Sequence, residues 1–221
     1  MAAVSDYCDE TGGDYYGFIT RETADGESLV IAVGDVSGHG IPAALMMASA
    51  RAYLRCNVGG GGRLDAVVKH VNELVSDDVD QSGRFMTLFL LELTEGKMIR
   101  WVRAGHDPAM VYNPADDSFE ELTGDGLPLG VINDVDFELN ERADLPPGLI
   151  IVVGTDGIWE THSLSGEMFG KERLEELIRA NASQSSETII QVLIEALNAF
   201  RGDAEQDDDI TLAIIKTPTD I

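Results

Sequence analysis

At 221 residues the chain is long enough for one sizeable core, and its 44% hydrophobic content argues for a packed globule over a disordered acidic segment. Its 40 acidic residues against 15 basic ones give a formal net charge of −25, which disfavours nucleic acid and anionic lipid as partners. No apolar run approaches the ~20 residues that span a bilayer and no basic-then-apolar leader opens the chain, so a cytoplasmic protein without membrane insertion is expected.

In chain order, residues 4–8 read as a short strand after an abrupt Met1-Ala2-Ala3 beginning. Asp14, in Gly12-Gly13-Asp14-Tyr15-Tyr16, opens a strand over 15–20, and the polar stretch 21–27 turns the chain at Asp25-Gly26. Residues 29–33 form a continuous apolar, β-branched run that suits a strand buried on both faces and stops at Gly34-Asp35. An antiparallel hairpin places Asp14 beside Asp35 to within a residue or two. Val36-Ser37-Gly38-His39-Gly40 then leads to Pro42, suited to a first helical turn. The helix is predicted over 41–55 with a small apolar face of Ala44, Met47, Ala48 and Ala52.

Gly59 to Gly62 break the chain, and a second helix fits 64–76 through Val67, Val68, Val71, Leu74 and Val75. Strands are predicted at 85–93, 98–103 after a Glu95-Gly96 turn, 109–112, 119–122, 137–139 and 149–153. Helices fit 171–181 and 187–200, the latter with Ser185-Ser186 as cap candidates, and a last strand fits 210–215. Short connections favour antiparallel pairing, and runs of strands with segregated helices give an α+β fold of two packed sheets flanked by helix pairs. Cys8 and Cys56 lack metal-ligand spacing and read as packing residues in a reducing compartment.

Asp14 and Asp208 lie just before strands, while Asp35 and Asp156 lie just after them, so an antiparallel arrangement lets all four meet on one rim. Ionised carboxylates gathered there repel unless cations lie between them. Oxygen-only ligands point to two Mg²⁺ or Mn²⁺ ions; Ca²⁺ stays open, although no Ca²⁺-loop pattern is present. Two such ions ~3.5–4 Å apart hold a water between them and lower its pKa, producing a hydroxide for in-line attack on phosphorus. A structural ion site and unrelated surface acids are the competing readings.

Together Gly12-Gly13-Asp14-Tyr15-Tyr16, Gly34-Asp35-Val36-Ser37-Gly38-His39-Gly40, Ala104-Gly105-His106, Pro128-Leu129-Gly130, Thr155-Asp156-Gly157 and Asp208-Asp209-Ile210-Thr211 resemble the metal-dependent Ser/Thr protein phosphatases, type 2C or PPM. The match is to their bacterial SpoIIE/RsbU-like branch and runs from about residue 9 to residue 216, in the family's order.

That resemblance implies an α-β-β-α sandwich and metal ligation by Asp14, Asp35, the Val36 carbonyl, Asp156 and Asp208, with Asp209 the alternative to Asp208. It implies a phosphoserine or phosphothreonine protein as substrate, commonly an anti-sigma-factor antagonist, and hydrolysis by a metal-bridging hydroxide. The alternative is a catalytically silent phosphoprotein-binding module of the same fold. Thr11 and Gly17 stand where the branch usually has Val and Asp, and no phosphate-holding arginine accompanies Asp14. Residues 1–221 are expected to form one catalytic domain, the C-terminal part of a signalling protein with an upstream sensor or receiver region.

The histidines carry two readings each. His39 is either a general acid for the leaving serine oxygen or a helix-entry residue with a local hydrogen bond. His106 is either a further metal ligand or a structural residue, and His70 and His162 read as surface positions. Trp159 reads as a packing anchor, with a substrate platform the alternative, and the free N–H groups opening the 41–55 helix are candidate phosphate donors.

Overall fold

The structure, a computed structural model, describes residues 1–23, 26–79, 83–94 and 98–218. The predicted Glu95-Gly96 turn and Asp25 of the Asp25-Gly26 turn lie outside the described residues.

The first sheet contains β1 (Ala2–Asp6), β10 (Ile210–Lys216), β9 (Ile150–Gly154), β6 (Ala109–Asn113) and β7 (Ser118–Leu122), in that spatial order. The second contains β2 (Tyr15–Thr23), β3 (Gly26–Val36), β4 (Met86–Thr94), β5 (Ile99–Ala104) and β8 (Asn140–Arg142). Every pairing of these strands is antiparallel. The helices are α1 (Gly40–Gly59), α2 (Leu64–Val79), α3 (Lys171–Ala180) and α4 (Ser186–Arg201).

Alternation along β3 explains its unbroken apolar run. Ile31 and Val33 face the other sheet and join Phe89, Leu91, Val111, Ile151 and Val153 in the core between the sheets. Val30 and Ala32 face the opposite way, toward Leu54 and Val58 of α1 and Val68 and Val71 of α2. On the outer face of the first sheet, Ile150, Val152, Leu212 and Ile214 pack against Leu174, Ile178, Ile189 and Leu193 of α3 and α4. The layers therefore run helix pair, sheet, sheet, helix pair, as the segregated pattern of strands and helices predicts. No helix among the described residues is long and apolar enough to cross a membrane.

Three expectations need correction. The buried face of α1 is Ala43, Ala50, Leu54 and Val58, while the predicted Ala48 and Ala52 are exposed. Apolar residues surround α1 with little bias to one side, so spacing alone could not set its rotation, whereas α2 buries the predicted valines. Residues 137–139 form no strand: Phe137 and Leu139 drop into the core beneath α1 and α2, and pairing with β5 begins at Asn140 opposite Trp101. Cys56 is exposed on α1 instead of packed; Cys8 is partly buried.

Candidate metal centre

The β2–β3 ladder runs from Thr23↔Gly26 to Tyr15↔Gly34, so continuing it by one residue sets Asp14 across from Asp35. Asp14 is 1% exposed, and its Oδ2 accepts a hydrogen bond of 2.8 Å from Thr155 Oγ1. That same hydroxyl oxygen accepts from Thr211 N at 3.0 Å. Thr155 thus joins the ends of β9 and β10, in one sheet, to the start of β2 in the other. The Val36 carbonyl lies against the segment leading into Asp14: a Cβ on Gly13 would sit 2.9 Å from Val36 O, so only glycine lets the two backbones approach this closely.

Asp156 and Asp208 arrive from the first sheet. The β9–β10 register ends with Leu212 opposite Gly154, and a Cβ on Gly157 would collide with the Asp209 carbonyl, so the Asp156 turn and the 208–209 segment are pressed together. Here the neighbouring acids separate by environment. Asp209 is 5% exposed and its two carboxylate oxygens accept from Cys8 N at 2.9 Å, Gly13 N at 2.8 Å and, longer, Asp14 N at 3.4 Å. Asp208 is exposed, with Oδ1 accepting from Asp209 N at 2.8 Å. Asp209 therefore pins the segment that delivers Asp14. Replacing it with alanine is expected to cost about 2–4 kcal/mol, through loss of bonds to a charged acceptor, read as a lowered Tm; an unchanged Tm would contradict that role.

Electrostatics tie the acids together. Asp14 is pushed up to about 9, first by burial and then by the charge of Asp35. Asp35 is pushed up to about 7, again first by burial and then by Asp156 and Asp208. Asp208 is also raised, by burial first, with Asp156 and Asp209 adding repulsion. Folded-state values above the ordinary carboxylate range mean that these groups stabilise the fold below about pH 4, and that this contribution is lost as pH rises through about 7 and about 9. Stabilisation by added Mg²⁺ should therefore grow between pH 5 and pH 9 in thermal melts. Equal Mg²⁺-induced shifts in Tm across that range would contradict the coupling.

Among the described residues, no group of three or more His, Cys, Asp or Glu side chains is arranged so that it could hold a metal ion. Asp35 and Asp156 line one recess, the charges of Asp156 and Asp208 act on Asp35, and that of Asp35 acts on Asp14. A buried carboxylate pair with raised pKa values and hard oxygen donors fits a divalent cation, which removes the cause of the repulsion.

The remaining candidates fall elsewhere. His106 is 2% exposed; its Nε2 lies 3.1 Å from the Gly154 carbonyl and must donate to it, leaving Nδ1 to accept from Thr87 Oγ1 at 2.9 Å. Burial holds its pKa down at about 4, so the ring is neutral. Thr87 stands opposite Asp35 in the β3–β4 register, so His106 bridges the Asp35 and Asp156 sides of the rim. His39 is the N-cap residue of α1, makes no capping hydrogen bond, and places Nδ1 2.8 Å from Asp9 Oδ2 in an exposed pair, so its hydrogen bond is to a distant segment and not the local one expected at helix entry. Gly38 and Gly40 on either side have positive φ, the conformation that turns the strand into the helix. His70 is exposed beside Glu73, and His162 is half-exposed 3.4 Å from Asp207. Trp159 packs against the core beneath α3 and α4.

Sequence reasoning missed Thr87 as a partner of His106. It also missed the Arg21–Glu92 pair, which the lone acid within the apolar 85–93 stretch could have flagged.

Two packed antiparallel sheets between helix pairs define the PP2C-type fold. The SiaA-PP2C domain of Pseudomonas aeruginosa matches with a TM-score of 0.82 and 25% identity, over 97% of this chain and 85% of that one. The family described as Stage II sporulation protein E (SpoIIE) matches residues 25–218, and the chain belongs to that family. Phosphoserine phosphatase RsbU of Bacillus subtilis is 30% identical over 217 residues, covering 98% of this chain and 62% of RsbU. Protein IcfG of Synechocystis is 25% identical over 242 residues, covering 96% of this chain and 37% of IcfG. The chain thus spans under two thirds of the length of either relative.

Proposed function

We propose that the chain is a Mn²⁺- or Mg²⁺-dependent phosphoprotein phosphatase domain that hydrolyses phosphoserine or phosphothreonine. The observation that carries this reading is the buried Asp14 set across from Asp35 by strand register, with the charges of Asp156 and Asp208 acting on the same rim. Asp14, Asp35, the Val36 carbonyl, Asp156 and Asp208 would hold two ions. When bound, divalent ions acidify water and neutralise charge on phosphoryl oxygens, the chemistry that phosphate-ester hydrolysis requires.

The chain's own residues would supply the rest. Thr155 orients Asp14, and Asp209 fixes the backbone before it. His106, with both ring nitrogens engaged, acts as a strut between the two sides of the rim and not as a ligand. The α1 N-terminus, opening at Gly40 four residues after the Val36 carbonyl, adds its free N–H groups to the same end of the molecule. RsbU carries the name phosphoserine phosphatase, and we extend that substrate class to this chain, with a phosphorylated anti-sigma-factor antagonist the expected type.

The test is phosphate release from a phosphoserine peptide. Turnover is expected with Mn²⁺ or Mg²⁺, none with excess chelator, and at least about a hundredfold loss in Asp156→Asn. Undiminished activity in that variant would sink the assignment. Tight phosphoprotein binding without turnover at saturating Mn²⁺ would favour a silent binding module.

A further inference from the structure

The metal rim carries a surplus of negative charge beyond its ligands. Asp35, Thr87, His106, Asp107 and Asp156 line a recess of about 80 Å³. Glu160 joins the same neighbourhood: its carboxyl is pushed up first by burial, then by the charges of Asp156, Asp107 and Asp208. A phosphate monoester arriving as a dianion must enter through this acidic surround. A basic side chain reaches it from outside. Lys171, the first residue of α3, holds Nζ 3.3 Å from Asp107 Oδ2 and 4.6 Å from the centroid of the Trp159 ring. Trp159 follows Asp156 by three residues, so the ammonium rests between a recess acid and an aromatic ring borne on the turn that carries Asp156.

The geometry points to Lys171 as the residue that seats the phosphate group of the phosphoprotein substrate at the recess and so determines substrate affinity. This rests on the phosphatase reading above. The lysine suits that task because its ties are weak. An ion pair between side chains 36% and 40% exposed is weak, and a half-exposed cation–π contact is of similar size. A dianionic phosphoryl group, carrying more charge than the Asp107 carboxylate, can therefore draw Nζ across without unfolding anything.

Arginines on neighbouring segments are already engaged: Arg201, beside Glu160 and Asp208, donates to Asn198 Oδ1 and Gln206 Oε1, and Arg173 pairs with Glu167. Arg103 donates to the carbonyls of His106 and Gly124, and Arg173 donates to those of Met168 and Phe169. Lys171 instead offers a compact charge on a flexible stem, which binds phosphate as a point charge.

The experiment compares wild type, Lys171→Met and Lys171→Arg with a phosphoserine peptide at saturating Mg²⁺, with inorganic phosphate as competing ligand. In Lys171→Met, KM and the phosphate inhibition constant should each rise about tenfold, the loss of one charge-assisted hydrogen bond, while kcat changes less than about threefold. Lys171→Arg should recover most of the affinity. Because Nζ sits on Trp159, phosphate titration of the Mg²⁺-loaded wild type should change tryptophan emission saturably, and Lys171→Met should lose that response.

Unchanged KM and phosphate inhibition in Lys171→Met would overturn the assignment while leaving the phosphatase reading intact. A shift in the Mg²⁺ activation constant with no change in KM would also overturn it, by showing that the lysine acts on the metal rim. A wild type that turns over no phosphopeptide at any Mg²⁺ or Mn²⁺ concentration would defeat the phosphatase reading and this inference with it.

Discussion

Asp35→Asn should lower metal-dependent phosphate release about a thousandfold or more while leaving the metal-free fold at least as stable as wild type. The opposite signs have one cause. Asp35 stands across the ladder from buried Asp14 and feels Asp156 and Asp208, so its ionised form is disfavoured in the metal-free protein and its pKa rises to about 7. Replacing the carboxylate with a neutral amide removes that repulsion, which should hold or raise the Tm without metal. It also removes an anionic ligand from the centre on which proposed catalysis depends. Thermal melts with and without Mg²⁺ should show the stabilisation by Mg²⁺ shrinking in the variant. Turnover within tenfold of wild type at saturating metal, or a much less stable metal-free protein, would contradict this account.

Arg21→Met should be among the most destabilising single changes in the chain, at about 3–5 kcal/mol, because it leaves Glu92 charged and buried without its main partner. Glu92 is fully buried in β4, Arg21 is 6% exposed, and Nε and Nη2 of the arginine both lie 2.8 Å from Oε1. Ser28 Oγ donates to the same oxygen at 2.6 Å, while Oε2 has no hydrogen bond and lies 3.7 Å from Arg100 Nη1. Arg21 Nη1 also donates to Gly62 O at 2.8 Å, tying the glycine turn between α1 and α2 to the sheet.

Set against a total stability of about 5–15 kcal/mol, such a loss should lower Tm by roughly 10 °C or more. The double replacement Arg21→Met with Glu92→Leu should recover much of it, since an apolar pair of similar volume leaves no orphaned charge. A single variant that melts with wild type, or a double variant worse than the single, would show that the pair is not the stabilising contact described.

The fold was legible where one physical rule decided the outcome. The 29–33 run and the short connections required buried antiparallel strands, and Ser185 caps α4 as expected, accepting from Thr188 N at 3.2 Å. Legibility failed where two rules competed. Residues 137–139 have the apolar content of a strand, yet Phe137 does more by filling the core than by entering a ladder. The same holds for Asp208 and Asp209, chemically identical neighbours that differ only in which backbone donors surround them. The roles of His106 and Lys171 were equally hidden, because their partners lie far away in the chain.

By itself the sequence determined the alternation of apolar and polar residues, the order of strands and helices, and the positions of four aspartates at strand ends, all of which depend on neighbours within a few residues. Tertiary structure decided which face of α1 is buried, which of two adjacent aspartates is pinned to the backbone, and which hydroxyl orients Asp14. Those outcomes follow from burial and hydrogen bonding between distant segments, 196 residues apart in the bond from Gly13 to Asp209, and no local pattern carries that information.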